Sequence, residues 1–226
     1  MRRLLVVCLV LIAACSTKSP SPTTTPRPTR TATPKVDAHS VEVKDLLRPG
    51  TSEQATVYGD MDGDGVDEIA VWSRANKAPA EGPLAQSYVD VFADRAGAWT
   101  NIYDATKHGV IQTGEDFVSQ TITFMRFVPF GCDRSSEFVL GVQTQGAGEG
   151  PLDVWVLSPK KTEFHYTTTS GGTLTVDPHK GCGDSGLILT TGDFRPGDAM
   201  CCPSAIATIR IEQLGDHVGI SSRSNT

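Results

Sequence analysis

The sequence predicts a mainly β protein: a single antiparallel β domain of three degenerate, meander-like (blade-like) units, preceded by a signal peptide and a disordered tether. Three observations carry this reading. Short runs of β-branched and aromatic residues, several strictly alternating in hydrophobicity, are separated by segments rich in Gly, Asp and Pro. Two long stretches echo each other, with an offset of 69 residues between Glu68 and Glu137. The composition, 38% hydrophobic and 20% charged, suits a folded soluble body and excludes collagen-like, coiled-coil and multi-span membrane classes.

From the N-terminus, Arg2 and Arg3 precede an apolar run from Leu4 to Ala14, the length of a signal-peptide core and too short to span a bilayer. The run ends in Ile12-Ala13-Ala14-Cys15, and small residues before a Cys resemble the lipobox of bacterial lipoproteins. That resemblance implies removal of the segment before Cys15, acylation of Cys15 with palmitate among its chains, and anchoring on the extracytoplasmic face of the cell membrane. An ordinary secretory signal with an incidental Cys is the alternative, and a twin-arginine signal lacks its flanking residues. Residues 1–15 are therefore assigned to signal and lipobox.

Residues 16–36 follow, fifteen of the 21 being Ser, Thr or Pro, with nothing bulky and apolar before Val36. Such a segment cannot bury enough surface to offset its ordering entropy, so it reads as an extended, partly polyproline tether. Lys18, Arg27, Arg30 and Lys35 make it basic, which suits either contact with anionic headgroups or a merely soluble spacer. Its Thr and Pro content also fits O-glycosylation, on composition alone.

Residues 37–226 form the expected β-rich extracytoplasmic domain. The net charge of −6 hides an asymmetry: residues 1–35 hold six Lys or Arg and no acid, leaving 14 basic and 26 acidic residues, a net of −12, for the rest. An acidic body argues against nucleic acid as a partner. Predicted β runs are Ala55–Tyr58, Ile69–Trp72, Tyr88–Phe92, Trp99–Tyr103, Val118–Val128, Phe138–Thr144, Val154–Leu157, Phe164–Thr168, Leu187–Thr190, Ile206–Ile211 and Val218–Ser221. Asp94-Arg95-Ala96-Gly97-Ala98 and Leu214-Gly215-Asp216-His217 read as hairpin turns, and Ser40–Arg48 as a short helix. In the repeat, Tyr58-Gly59-Asp60 is matched with Phe130-Gly131-Cys132-Asp133, Glu68-Ile69-Ala70-Val71 with Glu137-Phe138-Val139-Leu140, and Tyr88–Phe92 with Asp153–Leu157. A fainter third unit starts at Gly181. Three units are too few for an ordinary closed propeller.

The most informative stretch is Gly59-Asp60-Met61-Asp62-Gly63-Asp64-Gly65-Val66-Asp67-Glu68. Carboxylates at alternate positions can converge on one ion only if the chain curls tightly, which Gly65 permits, and calcium is the hard cation that takes six to eight oxygens in flexible geometry. The expected ligands are Asp60, Asp62, Asp64, Glu68 and the Val66 carbonyl. An EF-hand would need a Glu at the twelfth position, where Val71 stands, and flanking helices where both flanks read as strands. The loop resembles instead the strand-flanked aspartate loops of FG-GAP and VCBS-type repeats. The other units lack the aspartate series, so one structural calcium site is expected.

Of six cysteines, Cys8 leaves with the signal and Cys15 takes lipid, so Cys132, Cys182, Cys201 and Cys202 remain, an even number that implies two disulfides in an exported domain. Neighbouring side chains in an extended segment point to opposite faces, so Cys201 and Cys202 are expected to bridge separately to Cys132 and Cys182. A vicinal bridge and free or metal-bound thiols stay open. The segment from Asp198 through Cys201-Cys202-Pro203 to Ile211 resembles the C-terminal part of the LppP/LprE family of actinobacterial lipoproteins, which implies an envelope role and no catalytic residues. Cys182-Gly183-Asp184-Ser185-Gly186 looks like the nucleophile loop of trypsin-like proteases, but Leu187-Ile188 replaces the usual continuation and none of His39, His108, His165, His179 or His217 has a triad context. The sequence thus leads to a noncatalytic envelope lipoprotein, a binding or scaffolding module for an envelope protein or glycan. The alternative is an extracytoplasmic hydrolase.

Overall fold

In the computed structural model, which describes residues 36–77, 85–112, 120–132, 135–146, 148–178, 185–199 and 202–226, each of the eleven predicted β runs coincides with a strand. Sheet A comprises β1 (Thr51–Gly59), β2 (Glu68–Ala75), β3 (Ser87–Asp94) and β4 (Trp99–Asp104). Sheet B comprises β5 (Gln120–Val128), β6 (Glu137–Gly146), β7 (Gly148–Leu157) and β8 (Thr162–Thr167). Sheet C comprises β9 (Gly172–Pro178), β10 (Ser185–Asp193), β11 (Ala205–Leu214) and β12 (His217–Asn225). Each sheet is a four-stranded antiparallel meander, and β5 neighbours both β1 and β9. Residues 1–35 lie outside the described residues, and with them Cys15 and all of the tether except Val36.

Two sequence expectations differ from this. β9 was not predicted, because its sequence GTLTVDP starts at Gly, ends at Pro and offers only Leu174 and Val176 as an apolar alternation. Its pairing with β10, not its own propensity, makes it a strand. The predicted helix at 40–48 is instead two short 3-10 turns, Ala38–Ser40 and Val43–Asp45. Nine residues with β-branched Val41 and Val43 cannot sustain a helix alone, and Val41, Val43, Leu46 and Leu47 gain more by packing on sheet A.

Alternation decides the layering. In β6, Phe138, Leu140 and Val142 join Ala70, Val89 and Val91 in the core between sheets A and B. Val139 points the other way and joins Leu152, Val154, Leu187, Leu189 and Ile209 in the core between sheets B and C. Sheet B is therefore buried on both faces, which explains why β6 reads as a nearly continuous apolar run. Each large apolar side chain taken fully from water contributes about 1.5–3 kcal/mol, and these two cores hold most of them. The outer face of sheet A, with Ile69, Val71 and Phe92, is covered by the 3-10 segment. The outer face of sheet C carries the matched row Thr173, Thr190, Thr208 and Ser224.

Both predicted hairpin turns form. Ala96 and Gly97 have φ of 59° and 89°, and Arg95 and Ala98 exchange backbone hydrogen bonds, the primed turn that matches strand twist. Gly215, with φ 69°, opens the turn between β11 and β12.

The repeat is visible in the hydrogen bonds. Gly59 pairs with Glu68 and Val128 with Glu137, so the connections at 60–67 and 129–136 have the same length. In both, the N–H seven residues earlier donates to the Glu carboxylate: Met61 to Glu68 Oε2 at 2.5 Å, Phe130 to Glu137 Oε2 at 3.2 Å. This register matches Gly59 with Val128. The sequence alignment of Gly59 with Gly131 was therefore displaced by three residues, because a shared Gly outweighed the strand pairing.

Candidate metal centre

The loop at 60–67 is shaped by its own carboxylates. Asp60 accepts from the Gly63 N–H at Oδ1 (2.7 Å) and from the Gly65 N–H at Oδ2 (2.8 Å), while both glycines adopt φ near +80°, at 78° and 79°. An L side chain rarely tolerates that conformation, which is why the acids alternate with Gly. Asp62 accepts from the Asp64 N–H and Asp64 from the Val66 N–H at 2.7 Å. Gly59, before the loop, lies so close to Phe127 of β5 that a Cβ would sit 2.4 Å from that side chain. The loop is therefore built at the seam of sheets A and B, where the Ser136 N–H donates to the Asp60 carbonyl at 2.7 Å.

Carboxylate oxygens of Asp60, Asp62 and Glu68 lie within 4.8 Å of one another. Asp64 is not one of these three; its Oδ1 accepts from the Val66 N–H. Glu68 is 2% exposed. Burial, opposed by the Met61 hydrogen bond and reinforced by repulsion from Asp62, Asp60 and Asp64, pushes its carboxyl up to about 7. Its charged form is thus disfavoured without a cation beside it. An oxygen-only donor set of this kind fits a hard divalent ion, calcium before zinc or copper.

Two contacts escaped the sequence reading. Arg95, at the tip of the β3–β4 hairpin, reaches Asp62 Oδ2 at 3.3 Å. His39 lies 3.7 Å from Asp67 and tilts over Tyr58 with ring centroids 4.1 Å apart. The hairpin was legible in sequence, but which acid its Arg meets depends on the pairing of β3 with β2.

A second ionic cluster was also missed. Arg48 donates to Asp90 from Nε (2.8 Å) and Nη2 (2.7 Å), lies 2.8 Å from Asp104, and stacks over Tyr88. Asn101 donates to Asp90 as well. Burial works against the Asp104 carboxylate, but hydrogen bonds from Arg48 and from the Lys107 and Thr106 N–H groups hold it below the usual carboxylate range.

Among the cysteines, Cys132 is disulfide-bonded and Cys202 is exposed, while Cys182 and Cys201 lie outside the described residues. Ser185 opens the regular strand β10, opposite Pro178. Gly186 next to it is required by packing, since a Cβ there would meet the Ile211 carbonyl at 2.8 Å. His165 stacks on Trp155 and its Nε2 lies 3.0 Å from Asp153. An open cavity of about 280 Å³, bordered by Gln143, Gly171, Thr173, Thr190, Gly192 and Ile206, has no ionisable side chain among the described residues of its wall. Compared with known proteins, the chain matches no family model, no curated protein and no solved structure.

Proposed function

We propose that this is an envelope lipoprotein whose β domain is a binding or scaffolding module, stabilised by one calcium ion at the 60–67 loop and stapled by disulfides. The observation that carries the calcium reading is the convergence of Asp60, Asp62 and Glu68 around a buried carboxyl, a group of like charges that a divalent ion neutralises. Asp60 and Asp62 would supply ligands from the loop and Glu68 from the start of β2, so the ion would tie the loop to the core strand. Its chemistry there is electrostatic neutralisation alone. The Ile-Ala-Ala-Cys junction supports acylation at Cys15 and attachment to the cell membrane on its extracytoplasmic face. The resemblance to LppP/LprE lipoproteins and to FG-GAP and VCBS-type loops supports the same reading, with an envelope protein or glycan as partner. Cys132, Cys182, Cys201 and Cys202 would supply the bridges.

The test is calorimetric titration of the purified domain with calcium and thermal melting with and without EGTA. Binding to the native state alone stabilises by about 2.7 kcal/mol when calcium is a hundredfold above Kd. Chelation is expected to lower Tm, and Asp62→Ala combined with Glu68→Gln to abolish the response while the β circular-dichroism signal persists. No heat at millimolar calcium would overturn the reading. Acylation is checked separately: mass spectrometry of the native N-terminus should find Cys15 modified, and Cys15→Ala should release the protein from the membrane fraction.

A further inference from the structure

The chain contains two Asp–Gly peptide bonds, Asp62–Gly63 and Asp64–Gly65, and both fall in the one loop. Such bonds are the chemically weakest aspartyl linkages, because glycine has no Cβ to hinder its amide nitrogen from attacking the preceding side-chain carboxyl. The balance of the reaction is simple. The glycine nitrogen forms a bond to Cγ and loses its proton, the carboxyl loses its hydroxyl oxygen, and water leaves, giving a five-membered imide. Water then adds back at either carbonyl, returning Asp or yielding isoaspartate, with no oxidant or cofactor required. Asp62 and Asp64 are both exposed, so water has access to them.

The same loop restrains both attacking atoms. The Gly63 nitrogen donates to Asp60 Oδ1 at 2.7 Å and the Gly65 nitrogen to Asp60 Oδ2 at 2.8 Å, so one carboxylate holds the two nucleophiles. A proton shared with an anion is harder to lose, so each of these hydrogen bonds opposes the loss of the N–H proton that ring closure requires. The carboxyls are diverted too: Asp62 Oδ1 accepts from the Asp64 N–H and Asp64 Oδ1 from the Val66 N–H, each one residue beyond the attacking glycine. We propose that Asp62 and Asp64 are the isoaspartate-forming sites of this protein and that Asp60 suppresses the reaction by holding the Gly63 and Gly65 N–H groups. Isomerisation inserts a methylene into the backbone and shortens the side chain, so it would disperse the Asp60, Asp62 and Glu68 oxygens. The proposal does not depend on a bound ion.

The experiment uses the full chain in EGTA at neutral pH, so that calcium plays no part and its outcome is separate from the metal reading. Folded wild type, urea-unfolded wild type and folded Asp60→Ala are aged in parallel, and isoaspartate is mapped by peptide mass spectrometry with isoaspartyl methyltransferase labelling. Isoaspartate is expected at Asp62 and Asp64, forming about tenfold more slowly in folded than in unfolded wild type, the factor corresponding to one ordinary charge-assisted hydrogen bond. Folded Asp60→Ala should approach the unfolded rate. If that variant does not fold, Asp60→Asn keeps a single acceptor oxygen, and isomerisation should rise at one of the two sites. Equal rates in folded and unfolded wild type, or no rise at either site in a folded variant, would overturn the proposal.

Discussion

The connections at 60–67 and 129–136 begin and end alike and differ in between. Both are eight residues long, both bury an apolar residue at the second position, Met61 at 3% and Phe130 at 0% exposure, and both close with a Glu that accepts its N–H. These shared features are what the meander needs to pass from its first strand to its second: one anchored side chain and one satisfied buried amide. Of the loop's four aspartates only Asp64 has a counterpart, Asp133; Asp60, Asp62 and Asp67 have none. Residues 129–136 carry Pro129, Gly131 and the disulfide-bonded Cys132 where 60–67 carries Asp60, Asp62 and Gly63. One loop is held covalently. The other concentrates charge that the fold itself does not require, and that surplus is what makes it a candidate site.

A second contrast sets that loop against the other acidic cluster of sheet A. Asp90 and Asp104 are as buried as Glu68, but Arg48 sits between them with three contacts at 2.7–2.8 Å. Among the described residues, the converging acids Asp60, Asp62 and Glu68 meet a more exposed cation, Arg95, which reaches Asp62 at 3.3 Å with half its side chain exposed. Removing the internal cation should therefore produce the largest effect available in this comparison. Arg48→Met leaves Asp90 without a cation and Asp104 with only the exposed Lys107, 3.6 Å away, and is expected to cost about 3–5 kcal/mol in urea denaturation. The sign with pH follows from Asp104, whose carboxyl is held below its ordinary value of 3.8. Its stabilisation is present above that value and is lost as pH falls through the lower folded one. Wild type should thus keep this contribution to a more acidic pH than Arg48→Met, and equal acid midpoints would remove the cluster from the stability argument.

The next prediction uses the two equivalent glutamates. Glu68→Gln and Glu137→Gln both retain an oxygen for the Met61 or Phe130 N–H, so the hydrogen bond is held constant and charge alone changes. Glu68 is raised from 4.5 to about 7, so the native state binds more protons than the unfolded state between those values. In EGTA, stability should fall as pH rises through that window, and Glu68→Gln should remove that fall. The expected gain above pH 7 is on the order of 1–2 kcal/mol after allowance for loop relaxation. Glu137→Gln removes a charge at the matched position of a connection without counterparts of Asp60 and Asp62, and so serves as the reference. If both variants flatten the profile, the acidity of the 60–67 loop is not what distinguishes the pair.

How much of this was legible in sequence follows from what each feature depends on. Alternation in β5 and β11, the continuous apolar run of β6 and turn chemistry at Ala96-Gly97 and Gly215 are local, so the strands and hairpins could be read directly. β9 could not, because its two apolar residues matter only beside β10. The aspartate loop was legible as a liganding pattern through its Asp and Gly spacing. Which acids converge was not: Asp60, Asp62 and Glu68 come together because Glu68 gains its place by burial at the seam with sheet B. Arg48 and Arg95 reach acids 42 and 33 residues away, and only the sheet register brings them there.

The smallest expected effect is the most discriminating, because it should have opposite signs in two measurements. Arg95 places a tethered positive charge on Asp62, one of the three converging carboxylates. As an exposed ion pair it contributes about 0.2–1 kcal/mol, so Arg95→Gln should lower stability in EGTA by no more than that. A calcium ion at the same carboxylates would compete with the guanidinium, and removing the competitor should tighten calcium binding by a few-fold. Arg95 sits on a hairpin whose turn geometry is set by Ala96 and Gly97, so the substitution leaves the strands intact. Raising the salt concentration should shrink the stability difference, as screening weakens an exposed pair first. Calcium titration of wild type and Arg95→Gln at matched ionic strength checks the second sign. Weaker binding in the variant would mean that Arg95 positions Asp62 for the ion instead of opposing it, and unchanged binding would place the ion away from Asp62.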